Sequence, residues 1–133
     1  MLKKLLLATV LLVGLLNAKE IVWYKNFQQA QAVATSQNKP LLVLMTTQEC
    51  GWCKKLKKET LPHPLISQKI GDRFIAVELD RDESTYPNQF RTRGVPTTFF
   101  ADKTGKLLTR PAIGFFDVET YDSYLNDALK GIH

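Results

Sequence analysis

The sequence predicts an α/β fold in which a central mixed β-sheet is flanked by helices, with a C-terminal β-hairpin and a closing helix. Residues 41–45 form a continuous apolar run of strand length, and a helical pattern follows it. Strand and helix patterns alternate through the first half, which predicts parallel strands joined by right-handed crossovers. Residues 102–105 separate two strand patterns with the composition of a hairpin turn. The parallel first half and the antiparallel hairpin together make the sheet mixed.

The first half of the domain begins with a short extended segment over residues 19–24. Asn26 can cap a helix whose apolar residues recur at helical spacing, and the segment Asn38-Lys39-Pro40 ends that helix. The apolar run 41–45 suits a central strand that is covered on both faces. The next helix is predicted over residues 51–60, with Leu56 facing inward.

The second half continues with elements that the same rules delimit. The predicted elements are a helix over 65–70 that ends at Gly71, a strand over 74–79, a short helix over 87–91, a strand that follows Pro96, a partner strand over 107–111, and a last helix that Asp117 caps and Gly131 ends.

The first eighteen residues differ from the rest of the 133-residue chain. Lys3 and Lys4 precede an apolar run over residues 5–16, and Ala18 follows, which is the order of a secretory signal peptide. The run is shorter than the roughly 20 residues that a membrane-spanning helix needs. We therefore expect an exported, periplasmic domain over residues 19–133, with an uncleaved membrane anchor as the alternative.

The charge and the cysteines limit the classes of function. The net charge is +5, but lysine and arginine alternate with acidic residues after position 70, so no nucleic-acid-binding arm is indicated. Cys50 and Cys53 are the two cysteines of the chain, and a C-x-x-C pair encloses too little chain to be an effective structural staple. His63 and His133 lack ligand spacing to the pair, so no metal site is predicted. A structural disulfide and a metal clip remain as alternatives to a redox pair.

Four features in this order resemble the thioredoxin-fold superfamily. They are the apolar strand that leads into Cys50-Gly51-Trp52-Cys53-Lys54, the strand over 74–79, the segment Gly94-Val95-Pro96-Thr97 before a strand, and a hairpin with Gly114 before the last helix. The Asn38-Lys39-Pro40-Leu41 entry and the Cys53-Lys54-Lys55-Leu56 exit are similar to those of exported bacterial thioredoxin-like proteins, including periplasmic thiol reductants.

This resemblance implies a thiol:disulfide oxidoreductase that uses the Cys50–Cys53 pair as its redox-active disulfide. Cys50 would lie at a helix N-terminus, where the thiolate is stabilised, so it is predicted to attack the substrate. Cys53 would then resolve the mixed disulfide. Gly51, Trp52, Val95 and Pro96 are predicted to contact the substrate, with Pro96 in the cis form.

Two positions depart from the pattern of thioredoxin. Thioredoxin carries a buried acid six residues before the first cysteine, where this chain has Leu44, and a tryptophan immediately before that cysteine, where this chain has Glu49. Glu49 is therefore predicted to modulate the cysteine pair, and Lys54 is a second predicted modulator because it belongs to a positive patch on the helix of the pair; a solvated surface position is the alternative for each.

The predicted reaction is the reduction of disulfides in proteins or small thiols. No nicotinamide or flavin fingerprint occurs, so no cofactor is expected and a membrane-bound thiol reductant is the predicted electron donor. The chain is expected to be a monomer. A disulfide oxidant or isomerase, or a non-enzymatic Cu(I)-binding thiol protein, is the alternative.

Overall fold

The computed structural model describes residues 20–132, and its centre is a five-stranded sheet with the order β1-β3-β2-β4-β5. β2 pairs in parallel with β3 and antiparallel with β4, while β1 is parallel to β3 and β5 is antiparallel to β4. The predicted mixed sheet is confirmed. The strands are β1 (Trp23–Tyr24), β2 (Leu41–Thr46), β3 (Ile75–Asp80), β4 (Thr97–Ala101) and β5 (Ala112–Ile113).

Helices flank the sheet, and two of them begin at a residue whose short polar side chain caps the helix N-terminus. Asn26 accepts a hydrogen bond from the Gln29 amide at 2.9 Å, and Asp117 accepts one from the Thr120 amide at 2.9 Å. Both predicted caps are confirmed. The helices are α1 (Phe27–Gln37), α2 (Gly51–Lys55), α3 (Pro64–Arg73) and α4 (Val118–Lys130), with a 3-10 turn at Asn88–Phe90.

The helix predicted over residues 51–60 changes its hydrogen-bond pattern halfway. α2 ends at Lys55 and continues as a π-helical turn over Leu56–Thr60, where the Leu61 amide donates to the Leu56 carbonyl at 3.0 Å. Leu56 is fully buried, as predicted. π-helical turns inside helices are rare and occur often near functional sites.

The predicted end of one helix and one predicted strand are wrong. α3 does not end at Gly71 but continues to Arg73, because the Phe74 amide still bonds to the Ile70 carbonyl at 3.0 Å. The predicted partner strand over 107–111 is reduced to a single bridge between Leu107 and Ala101. Pro111 has no N–H group to donate to the ladder, so regular pairing resumes only at β5.

The sheet buries side chains on two faces, because β2 is buried along its whole length. The α1 face is covered by α1 and the 3-10 turn, and it contains Phe27, Val43, Met45, Phe90 and Phe99 among others. The site face is covered by α2, α3 and α4, and it contains Leu42, Leu44, Leu56, Phe100 and Tyr121 among others. The predicted central position of the run 41–45 is therefore confirmed.

The prediction of a signal peptide falls on residues 1–18, which lie outside the described residues. Among residues 20–132, no helix has the length and apolar character that crossing a membrane requires.

Candidate active site

The cysteine pair lies at the carboxyl end of the central strand. Cys50 follows β2 by four residues and caps α2, where its Sγ accepts a hydrogen bond from the Cys53 amide at 3.1 Å. The two cysteines form a disulfide, and their Cα atoms are 5.2 Å apart. The first cysteine thus lies at the start of the helix that follows the strand, and the first turn of that helix places the second cysteine beside it.

The pair is nearly buried, but its immediate surroundings are open. The exposed fraction is 8% for Cys50 and 3% for Cys53. Gly51 is exposed, and a Cβ atom added to it would meet no atom within 4 Å. Internal packing therefore does not require glycine at this position, which leaves room for another molecule to approach the disulfide.

Pro96 lies at the same edge of the sheet as Cys50. Because β4 runs antiparallel to β2 and Thr97 pairs with Met45, the residue before Thr97 reaches the carboxyl end of β2. Pro96 is buried, Val95 is half-buried, and the peptide bond between them is cis.

Polar contacts hold the segment around Pro96 in place. The Gly94 carbonyl accepts hydrogen bonds from the hydroxyls of Thr97 at 2.7 Å and Thr92 at 3.0 Å. The Pro96 carbonyl accepts one from the Gly114 amide at 2.7 Å. Gly114 has a φ of 105°, a conformation that glycine adopts without strain. The Pro96 segment is thereby fixed to residues 113–116, which run beside α2.

Trp52 extends from the first turn of α2 to those residues. Its ring centroid is 6.0 Å from that of Phe115, and Trp52 remains 59% exposed. The Nζ atom of Lys55 lies 5.1 Å from the Trp52 centroid and 4.6 Å from the Phe115 centroid. The surface beside the disulfide thus combines two aromatic rings with a cation.

Glu78 is a partly buried carboxylate behind this surface that the sequence analysis missed. It pairs with Leu44 in the register of β3 against β2, and its side chain is 12% exposed. Its carboxylate accepts hydrogen bonds from Lys57, from Thr46 at 2.8 Å and from Lys25 at 3.1 Å. Its position as the one acid within the apolar strand pattern 74–79 is the signal from which the sequence could have identified it.

Burial by itself would raise the pKa of Glu78, but the hydrogen bonds from Lys57, Thr46 and Lys25 outweigh it, so the pKa is lowered. The carboxylate is therefore anionic near neutral pH. It lies on the site face, where it links the ends of two strands to the π-helical turn that follows the cysteine pair.

The two predicted modulators have different surroundings. Glu49 is exposed and borders a shallow depression together with Asp80, Asp82 and Glu83. Lys54 is exposed on α2, next to Lys55. The surroundings of Glu49 are thus mainly acidic, whereas those of Lys54 are basic. In the range 20–132, no group of three or more His, Cys, Asp or Glu side chains has a geometry that holds a metal ion.

Comparison with known proteins gives a consistent match. A family model described as a thioredoxin-like domain matches residues 27–129. The thiol:disulfide interchange protein DsbD of Actinobacillus pleuropneumoniae serotype 5b (strain L20) is 26% identical over 113 residues, covering 75% of this chain and 19% of that protein. The chain spans less than one-fifth of the length of this and the other curated relatives that it matches.

Solved structures match over most of the chain. A thioredoxin from Thermus thermophilus superposes with a TM-score of 0.71 at 21% identity, covering 85% of this chain and 91% of the other. The oxidised C-terminal domain of DsbD from Neisseria meningitidis gives a TM-score of 0.64 at 15% identity, covering 80% and 99%. The thioredoxin fold predicted from the sequence is confirmed.

Proposed function

Since the chain belongs to the thioredoxin-like domain family, we propose that it is a thiol:disulfide oxidoreductase that reduces disulfides of proteins or small thiols. The observation that carries the proposal is the Cys50–Cys53 disulfide at the junction of β2 and α2, with a buried proline at the same edge of the sheet. A disulfide between cysteines only three positions apart would contribute little to the stability of the fold, whereas a cysteine pair at this junction can exchange with another disulfide.

Cys50 is the attacking thiol in this proposal. The Cys53 amide that donates to its sulfur would donate equally to a thiolate, and Cys50 is the more exposed of the two. The Cys50 thiolate attacks one sulfur of the substrate disulfide, forms a mixed disulfide and releases the first substrate thiolate. The Cys53 thiolate then attacks the Cys50 sulfur and releases the second, so that two electrons pass to the substrate.

The residues around the pair have distinct roles. Gly51 leaves space for the substrate backbone, Trp52 supplies an apolar contact, and Val95 with Pro96 forms the opposite wall. Glu49 and Lys54 place opposite charges on the two sides of the loop and modulate the ionisation of the pair. No resident cofactor takes part, because both electrons come from the two thiols.

The reductive direction and the location outside the cytoplasm are further parts of the proposal. The cysteine motif and its flanking residues are similar to those of periplasmic thiol reductants, and the order of residues 1–18 is that of a secretory signal. A membrane-bound thiol protein would restore the dithiol, and the domain would act as a monomer.

The test is a single-turnover reaction of the reduced protein with hydroxyethyl disulfide and with insulin, measured by acid-quenched chromatography of the protein. The wild-type protein should become oxidised in both reactions. Cys50→Ser should not react, whereas Cys53→Ser should accumulate a mixed disulfide at Cys50 because the resolving thiol is missing.

Three results would contradict parts of the proposal. Failure of the reduced protein to react with either compound would remove the redox function, and tight Cu(I) binding in its place would favour a metal-binding protein. Mixed disulfides on Cys53 in the Cys50→Ser variant would reverse the two thiol roles. A reduction potential close to that of strongly oxidising relatives would remove the reductive direction.

A further inference from the structure

An exposed apolar surface begins at Trp52 and ends near the Pro96 segment. Trp52 is 59% and Ile113 is 61% exposed, although both are large apolar side chains. Phe115 contacts the Trp52 ring, and Ile113 precedes Phe115 by two residues in the chain. A Cβ atom added to Gly94 would lie 3.6 Å from the Cγ2 atom of Ile113, so this surface reaches the segment that precedes Pro96.

Lys55 places a positive charge on this surface. Its ammonium group lies over both rings at 5.1 and 4.6 Å, while the distance to its acidic neighbour Glu59 is 3.9 Å. Lys54 and Lys58, which precede and follow Lys55 in the chain, are also exposed. Neither forms an ion pair with another of residues 20–132. We call the set Trp52, Lys55, Ile113 and Phe115 the aromatic–lysine face.

Acidic side chains predominate in the depression that lies between the segment before Cys50 and the end of β3. Glu49, Asp82 and Glu83 border the depression there, and Arg81 offsets part of that charge through its pair with Asp82. An acidic group that approaches the disulfide therefore meets mainly lysines on the side of α2, whereas acidic and arginine side chains are mixed on the side of β3, where Arg91 and Arg93 border the neighbouring depression. The lysines beside α2 thus favour a partner that carries an acidic group on that side of the disulfide.

Contacts within residues 20–132 leave Trp52 and Ile113 exposed and give Lys54 and Lys58 no ion pair, whereas Lys55 contacts both rings and pairs with Glu59. An exposed apolar patch rimmed by charges is typical of an interaction surface. The patch borders the disulfide, and Gly51 leaves the approach to the sulfur open. Aromatic side chains contribute strongly to binding when a partner covers them, whereas unpaired surface lysines mainly accelerate the encounter with acidic partners.

We propose that the aromatic–lysine face selects protein disulfides in which an aromatic residue and an acidic residue lie next to the reacting cysteine. The aromatic residue packs on Trp52 and Phe115, and the acidic residue pairs with Lys55 and its lysine neighbours. This specificity rests on the disulfide reductase function proposed above, whose chemistry at Cys50 is unchanged by it.

The experiment uses four homodimeric peptide disulfides whose cysteine is flanked by glutamate and phenylalanine, glutamate and serine, lysine and phenylalanine, or lysine and serine. The full-length reduced protein should react with the glutamate–phenylalanine peptide about tenfold faster than with the lysine–serine peptide at low salt. The preference for glutamate should fall severalfold in about 0.5 M NaCl, because charges at the surface are screened.

Variants separate the two contributions. Lys55→Gln should remove most of the discrimination between glutamate and lysine peptides, and Lys55→Arg should retain it. Trp52→Ala should remove the discrimination between phenylalanine and serine peptides, and Trp52→Phe should retain part of it. Lys106→Gln and Val22→Ala are matched controls at exposed positions near the other end of the sheet, and both should react like the wild type.

Reaction with hydroxyethyl disulfide distinguishes the reductase function from the substrate selection by the aromatic–lysine face. The rate of each variant with each peptide is divided by its own rate with this small uncharged disulfide, and the expected preferences in these ratios support the aromatic–lysine face. Equal rates for the four peptides, a preference for lysine peptides, or oxidised glutathione reacting as fast as the best peptide would overturn it while the reductase function stands. Loss of reaction with hydroxyethyl disulfide in the wild type would overturn both.

Discussion

The two faces of the sheet bury similar amounts of apolar side chain but differ in their polar content. On the α1 face, Phe27, Phe90 and Phe99 pack with ring centroids 5.3 and 5.5 Å apart. The site face holds four of the five buried polar side chains of residues 20–132, together with the carboxylate of Glu78. These four are Thr46, Thr60, Ser67 and Thr98.

The difference in polar content between the two faces follows from the different roles of these faces. A face that only stabilises the fold is best made of apolar side chains that fill space, because each buried polar group needs a partner. The site face instead positions the cysteine pair, and its polar contacts fix where α2 and the last helix lie. We therefore expect substitutions on the α1 face to change stability most, and substitutions on the site face to change disulfide exchange as well.

The largest effect on stability is expected for Phe90→Ala. This fully buried ring packs between Phe27 and Phe99, so its loss leaves a cavity and should lower the free energy of unfolding by about 3–5 kcal/mol. Denaturant unfolding measures the change, and exchange with hydroxyethyl disulfide by the folded fraction should be unaltered. If Phe90→Ala does not fold, Phe90→Leu provides the milder comparison. A slowed exchange in either folded variant would contradict the separation of the two faces.

A smaller loss of stability, about 1–2 kcal/mol, is expected for Glu78→Gln. Lys25 and Lys57 are substantially exposed, so their ion pairs contribute little, and the loss comes mainly from the weakened bond to Thr46. Because hydrogen bonds lower the pKa of Glu78 in the folded state, its contribution is present above the unfolded value of 4.5 and is lost as the pH falls through the folded value.

Two measurements check the Glu78 prediction. The difference in unfolding free energy between the wild type and Glu78→Gln should shrink when the pH is lowered from 7 to below 4. The pH profile of disulfide exchange should also shift in Glu78→Gln, whereas Asp122→Asn, which removes a carboxylate bonded to Lys69 on α3, serves as the control and should not shift it. A difference in stability that does not depend on pH would contradict the ionised state of Glu78.

A loss of about 1 kcal/mol is expected for Tyr121→Phe. The buried hydroxyl of Tyr121 shares a hydrogen bond with Thr98 at 2.9 Å, and its removal leaves the threonine hydroxyl without this partner. The double variant Tyr121→Phe with Thr98→Val should be more stable than the sum of the single effects predicts, since it removes both polar groups. Strict additivity of the two changes in unfolding free energy would contradict this coupling.

The smallest change in stability is expected for Gly51→Ala. The added methyl group meets no atom within 4 Å, and alanine restricts the unfolded chain, so the variant should be more stable by about 0.5 kcal/mol. Exchange with insulin should nevertheless slow severalfold, because the methyl group obstructs the approach of a substrate backbone, while exchange with hydroxyethyl disulfide stays unchanged. An unchanged rate with insulin would remove the predicted role of Gly51 in substrate contact.

The sequence by itself determined the order of the elements and the position of the cysteine pair. The apolar run 41–45 is long enough only for a buried strand, and the C-x-x-C spacing after it is a local property of one helical turn. The caps Asn26 and Asp117 are equally local, because each side chain bonds to an amide three residues away. Periodicity and spacing express such short-range constraints directly.

The tertiary structure decided what depends on residues that are distant in the chain. Glu78 lies beside the site because the pairing of β2 with β3 places it next to Thr46, and it also binds Lys57. Trp52 contacts Phe115 because the pairing of β2 with β4 brings their segments to the same edge of the sheet. Strand register and helix packing result from the summed fit of many side chains, and no single segment encodes them. The chemistry proposed for the pair was therefore predictable from four short segments in order, whereas the surface proposed to select its substrates required the folded chain.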